Sequence, residues 1–352
     1  MRKLSGKIDG QEYAVLIGQN MDSERKHYFE EFSDRILFSS PKLPPTEIQR
    51  LKVEFGNKNV VLTDDGESCK SLANYSLLIN ELLGRGFPRN GMMSYSGGGT
   101  LGDLVGFVSS TYKRGTRFSA IPTTLLAQVD SSIGGKNGLN VASFKNSIGT
   151  FHLPEAIFCD SAFLSKGVMR DGLSEVIKYG MINDPKILDS LRGHRWDDIL
   201  DDPDLILSLV ERSVRTKMAI VEKDFRDTKG VRAQLNFGHT VGHALESVSG
   251  NSLSHGQAVC TGMIIESRMS ELEEISERGT ASSLVGIFGD LGIDVPDVSA
   301  YSLDSMVNFV LNDKKLSAGE IRIPVPVRPG FMASLSLTPE RFKKILSKAI
   351  GG

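Results

Sequence analysis

From Tyr13 to about residue 160, short apolar runs alternate with segments of helical period, and that alternation restricts the fold more than anything else in the chain. "YAVLIG" (13–18) and "DRILFSS" (34–40) read as strands on either side of the polar "MDSERKHYFEEF" (21–32). "NVVLTDD" (59–65) is another short run that ends in turn residues. "SLANYSLLINELLGRG" (71–86) has apolar positions three and four apart, a helical spacing, with Gly84 or Gly86 to end it. "MMSYSGGGTLGDLVGFVSSTY" reads strand, glycine turn, helix, and "FSAIPTTLLAQVD" adds a strand and turn. Strands that alternate with helices predict an α/β layer built on a Rossmann-like parallel sheet.

Beyond residue 160 the texture changes. Residues 172–182, 203–225, 239–250, 257–276 and 340–350 are helical in period, and "EIRIPVPV" (320–327) is the clearest strand. A length of 352 residues suits two domains. The expectation is an α/β domain over 1–160 and a mostly α-helical domain over 161–352, with the active site in the interdomain cleft.

Composition removes several function classes. The formal net charge of −2 supplies no basic field for nucleic acid. No apolar run approaches the roughly 20 residues needed to cross a bilayer, and the N-terminus lacks the pattern of a secretory signal. Cys69, Cys159 and Cys260 are odd in number and widely spaced, which argues against a disulfide framework and fits a reducing, cytoplasmic setting.

Three stretches carry candidate chemistry. In "SYSGGGTLGDLVGF", Gly97, Gly99 and Gly102 form G-x-G-x-x-G between a strand and a helix, where backbone can approach a phosphate and helix N–H groups can bind it. The segment 128–149 has no period and reads as a long irregular loop, with Asp130, Lys136, Asn140, Lys145 and Asn146 available to a ligand. "LNFGHTVGHALE" (235–246) sets His239 and His243 four apart on one helical face, with Asn236 and, if the helix runs back that far, Arg232. The spacing alone leaves open whether both histidines, one or neither bind a metal. His255 in "SLSHGQAV" and Glu175 in "GLSEVIKYG" are further donors. The plainer reading of Glu175 and Lys178 is an i,i+3 ion pair on the surface. His27, His152 and His194 read as ordinary histidines.

Taken together and in order, "GGGTLGDLVGFVSSTYKRG", "IPTTLLAQVDSSIGGKNGLN", "KNSIGTFH", "GLSEVIKYG", "RAQLNFGHTVGHALE" and "SHGQAV" resemble the 3-dehydroquinate synthase family of sugar-phosphate cyclases. The resemblance implies an NAD- and metal-dependent lyase of the shikimate pathway, which feeds aromatic amino acid biosynthesis. It implies conversion of 3-deoxy-D-arabino-heptulosonate 7-phosphate to 3-dehydroquinate and phosphate. The steps are transient oxidation, phosphate elimination, re-reduction and intramolecular aldol closure. By motif position Glu175, His239 and His255 would hold zinc or cobalt, and His243 would sit beside the substrate. NAD would contact Asp65, Gly66, Glu67, Lys70, Gly99, Thr100, Leu101, Gly102, Asp103, Thr123, Thr124, Lys136, Lys145, Phe163 and Leu164. Asp130, Lys136, Asn146, Lys178, Lys217, Arg232, Asn236 and Lys314 would surround the phosphorylated sugar-acid substrate. Arg114 would reach a neighbouring subunit's site, which implies a homodimer.

The alternatives within this resemblance are cyclases that make deoxy-inosose, valiolone or amino-dehydroquinate rings. Valiolone-type members characteristically lack the amide at Asn236 and the lysine at Lys314, and this chain has both. A metal-dependent polyol dehydrogenase is the more distant alternative.

Overall fold

A computed structural model describes residues 1–142, 144–250, 252–313 and 319–351. The chain forms two compact units, one of residues 1–168 with 206–226 and one of residues 169–205 with 227–352.

The first unit contains β1 (Arg2–Ile8), β2 (Gln11–Gly18), α1 (Asp22–Glu30), β3 (Arg35–Ser39), α2 (Pro45–Phe55), β4 (Val60–Leu62), α3 (Leu72–Gly84), β5 (Met92–Gly97), α4 (Gly99–Thr111), β6 (Arg117–Pro122), β7 (Lys136–Val141), β8 (Phe144–Phe151) and β9 (Ala156–Asp160). Seven strands make one sheet in the order β1-β2-β9-β6-β5-β3-β4, parallel except for the edge strand β1. From β3 the chain first adds β4 on one side and then crosses back to place β5 on the other. That reversal makes the carboxyl ends of β3 and β5 a topological switch point, the place where open α/β sheets bind ligands. The glycine turn follows β5 directly. Every residue of β5 is buried, as a central parallel strand requires. One apolar layer packs Phe29, Phe55 and Phe158 with Leu37 and Leu51.

The second unit begins within α5 (Lys166–Ile182) and continues through α6 (Lys186–Leu191) and α7 (Trp196–Asp201). Most of α8 (Pro203–Lys223) lies with the first unit. The second unit then resumes with α9 (His239–Val248), α10 (His255–Leu272), α11 (Thr280–Leu291), α12 (Leu303–Asp313), β10 (Ile321–Arg328), β11 (Phe331–Leu337) and α13 (Pro339–Gly351). Its core joins Val241, Leu245, Ile265, Ile323, Phe342 and Leu346.

Two features differ from the sequence reading. A single boundary near residue 160 does not describe the units, because residues 206–226 belong to the first. Arg2 donates to Glu211 at 2.9 Å, Lys217 to Asp130 at 2.6 Å, and the Tyr13 hydroxyl to Glu222 at 3.4 Å. The segment 128–149 is not one irregular loop: after a turn at Ala127–Ser131, β7 and β8 form an antiparallel hairpin. Gly138 pairs with Gly149, and a Cβ on Gly149 would lie 2.6 Å from the Asn137 carbonyl oxygen. Most of β8 is exposed, so no alternating pattern marks it in the sequence.

Candidate active-site residues

In the second unit, α5, α9 and α10 bring a carboxylate and two imidazoles together. Helix α5 is buried on all sides from Gly172 to Ile182, so it runs through the core and takes Glu175 with it. Glu175 is fully buried and Lys178 is 2% exposed, which rules out the surface ion pair. The Lys178 ammonium lies against Glu175 Oε2. His239 Nε2 and His255 Nε2 stand 3.3 and 3.4 Å from Glu175 Oε1. Ligand atoms of these three residues all fall within 4.8 Å of one another.

The other ring nitrogens settle the tautomers. His239 Nδ1 is 3.1 Å from the Phe237 carbonyl oxygen, and His255 Nδ1 is 3.0 Å from Glu246 Oε1. Both partners only accept, so each Nδ1 carries a proton, and each Nε2 is left to face Glu175, free to give a lone pair to a cation placed between them. Among the described residues no hydrogen bond of ordinary geometry reaches either Glu175 oxygen. Lone pairs facing a carboxylate repel unless a proton or a cation lies between them. Without a cation the proton takes that role: burial works against it, yet Glu175 and Glu246 push His255 up to about 10. Burial alone would raise Glu175, but Lys178 first, then His239 and His255, hold it well below the usual carboxylate range. Two nitrogens and one oxygen with second partners in place fit a divalent cation with open positions.

His243 is separate from this group. Its ring lies 5.3 Å from that of His239, edge to face. The expectation of one helical stripe from Arg232 to His243 is corrected by the backbone. Gly238 has φ 79°, so α9 starts at His239, and Arg232–Asn236 form a separate 3-10 turn. Arg232 is buried and Asn236 is exposed. Lys314 lies outside the described residues.

Close packing fixes the elements that carry these three residues. A Cβ on Gly262 would lie 2.0 Å from the Gly238 carbonyl oxygen, and one on Gly238 would lie 2.4 Å from Met263 Cγ. Glu266, also on α10, accepts from the Gly238 and Val241 amides at 2.7 and 2.9 Å and so satisfies the start of α9. Asp171 accepts from the Ser254 hydroxyl at 2.6 Å and the Gly256 amide at 3.2 Å, on either side of His255. Sequence reasoning missed Glu246, Glu266 and Asp171. The one signal available was S-x-x-Q at Ser254–Gln257, a capping box that starts α10 at His255.

In the first unit the glycine turn opens α4 at the switch point. No side chain caps that helix, and a Cβ on Gly99 would lie 2.4 Å from Ser131 Oγ. Gly99 therefore has no room for a side chain, and the uncapped N–H groups at the start of α4 are of the kind that bind an anion. Asp65 Oδ1 accepts from Thr100 Oγ1 at 3.1 Å and from the Gly66 amide at 2.7 Å. Lys70 Nζ donates to Asp103 at 2.7 Å and also to Asn146. Asn140 donates to Glu67 at 2.7 Å. The segment 65–70, the glycine turn and the β7–β8 hairpin are therefore one polar cluster. Burial pushes the Asp103 carboxyl up to about 6 against the pull of Lys70. Lys217 and Asp130 pair at 2.6 Å. Thr123 is buried and Thr124 Oγ1 accepts from the Ala127 amide at 3.1 Å, while Lys136 and Lys145 are exposed. Phe163 is buried, with the Arg25 guanidinium 5.3 Å from its ring centre, and Leu164 follows it. Arg114 is exposed on a turn where Lys113 and Arg114 have φ of 48° and 64°.

No described helix is long and apolar enough to cross a membrane. Comparison with known proteins gives one consistent result. Residues 60–172 match the 3-dehydroquinate synthase N-terminal family model, and residues 172–316 match the 3-dehydroquinate synthase C-terminal model. The 3-dehydroquinate synthase of Picrophilus torridus is 43% identical over 294 residues, covering 82% of this chain and 84% of that protein. That of Sulfolobus acidocaldarius is 37% identical over 346 residues, 95% of each. A crystal structure of 2-deoxy-scyllo-inosose synthase complexed with carbaglucose-6-phosphate, NAD+ and Co2+ shares the fold with a TM-score of 0.88. It is 20% identical and covers 99% of this chain and 100% of that one. The chain belongs to the 3-dehydroquinate synthase family.

Proposed function

We infer that this chain is a 3-dehydroquinate synthase. It converts 3-deoxy-D-arabino-heptulosonate 7-phosphate to 3-dehydroquinate and phosphate with NAD and a divalent metal, zinc or cobalt. The observation that carries the reading is the pair of imidazole Nε2 atoms at 3.3 and 3.4 Å from a fully buried Glu175 carboxylate. When bound, the cation supplies a Lewis acid for the C5 oxygen and NAD a reversible hydride acceptor. The protein's own groups do the rest. Glu175, His239 and His255 hold the cation. The glycine turn and first helical residues at Gly99–Asp103, with Asp65, Gly66, Glu67, Lys70, Thr123, Thr124, Lys136, Lys145, Phe163 and Leu164, receive the dinucleotide. Lys178, Lys217, Arg232 and Lys314 hold carboxylate and phosphate, with Asp130, Asn146 and Asn236 orienting hydroxyls. His243, beside the ligand His239, moves a proton near the leaving phosphate. Arg114 serves the partner's site in a homodimer, which accounts for an exposed arginine held in left-handed backbone. The setting is the cytoplasm.

The inosose-forming relative has the same fold at 20% identity, a likeness that bears on fold alone. The deciding experiment offers purified protein, NAD+ and zinc three phosphosugars: the heptulosonate phosphate, glucose 6-phosphate and sedoheptulose 7-phosphate. Phosphate release from the heptulosonate alone is expected. Release from one of the other two, and not from it, would reassign the enzyme within the cyclases.

A further inference from the structure

Helix α9 carries His239, His243 and Glu246 at i, i+4 and i+7, all on one face. Glu246 spans to the first residue of α10, where its Oε1 accepts from His255 Nδ1 at 3.0 Å. The two imidazoles are thus supported differently: the second nitrogen of His239 meets a neutral carbonyl, and that of His255 meets a carboxylate. His255 is also the more exposed of the pair, its side chain 30% accessible against 13% for His239. The ring stands at the first position of α10 beside that of His239, with its two nitrogens facing Glu175 and Glu246.

We propose that Glu246 is the positioning residue of the metal site: its carboxylate fixes the tautomer and orientation of His255 and thereby ties the ligand on α10 to the helix that carries His239. A carboxylate behind a ligating imidazole raises the basicity of the nitrogen that faces the metal, and losing such a partner typically weakens metal binding about 10- to 100-fold. The proposal rests on the metal reading above, so its test separates the two.

Full-length protein is stripped with a chelator. Zn2+ affinity is then measured by competition with a chromophoric chelator, and Co2+ binding by its visible ligand-field bands. Glu246→Ala should weaken Zn2+ binding about 10- to 100-fold and alter the Co2+ bands, with the far-UV circular dichroism of the apo protein unchanged. Glu246→Gln keeps an acceptor oxygen for Nδ1–H and should recover part of that loss. Glu246→Ala binding Zn2+ within twofold of the parent, with parent-like Co2+ bands, overturns the proposal and leaves the metal site intact. A parent protein that takes up neither metal overturns the metal reading itself. Where Glu246→Ala fails to fold, Glu246→Gln decides: a weaker affinity with shifted bands supports the proposal, and parent values of both overturn it.

Discussion

At Glu175, His239 and His255 one carboxylate oxygen and two imidazole nitrogens converge, and a divalent cation among them would be met by all three. Two histidines one turn apart therefore have different prospects. His239→Ala removes a proposed ligand and should weaken Zn2+ binding by more than the roughly 10- to 100-fold of a lost supporting residue. His243→Ala should leave zinc stoichiometry at one per chain while turnover falls about 100-fold or more, the range of a lost proton-transfer group. Metal analysis with steady-state rates on both variants checks this, and equal loss of zinc in the two contradicts it. Asp103 offers a pH test. Its carboxyl moves from 3.8 to about 6 in the folded protein, so between those values the native state binds more protons than the unfolded chain. This group's contribution to stability accordingly falls as pH rises through that window, by on the order of 3 kcal/mol. NMR titration of the cofactor-free protein should give Asp103 a midpoint near 6, and a midpoint near 4 would contradict the burial argument.

Helices α9 and α10 meet backbone to backbone, and that contact sets the distance between His239 and His255. Gly262 is the tightest point, since a Cβ there would meet the Gly238 carbonyl oxygen at 2.0 Å and the Gly242 nitrogen at 2.8 Å. Backbone atoms cannot swing aside as a side chain tip can. Gly262→Ala should cost about 1–3 kcal/mol of stability or more and weaken zinc binding as the helices part. Urea unfolding and a zinc titration read both effects, and parent-like values of each would show that the contact is dispensable. The same helices explain what the sequence could and could not convey. The grouping of Glu175, His239 and His255 was legible because ordered motifs carry them, whereas the capping box at Ser254–Gln257 that starts α10 went unread. The break before α9 was not legible, because the backbone flip at Gly238 leaves no trace in apolar periodicity. Glu246, Glu266 and Asp171 were equally silent, since each acts across a contact between distant segments. The β7–β8 hairpin was hidden because β8 is exposed along most of its length and shows no alternation.

At the scale of the whole chain, the alternation before residue 160 was enough to anticipate a parallel sheet, and the later helical texture enough to anticipate the second unit. The assignment of 206–226 to the first unit was not readable, because α8 is held there by ion pairs with Arg2 and Asp130, far away in sequence. Both units are required by the chemistry inferred for this chain: the first carries the glycine turn at the switch point, the second the triad of Glu175, His239 and His255. The inferred reaction also takes an electron pair and returns it within one turnover. The most direct measurement supplies NAD+ at one equivalent per chain with zinc and a large excess of heptulosonate phosphate, and follows phosphate and NADH together. The account predicts that nearly all the substrate releases its phosphate while no NADH accumulates. Phosphate release that stops at one equivalent with NADH left standing, or NADH formation without phosphate, would contradict it.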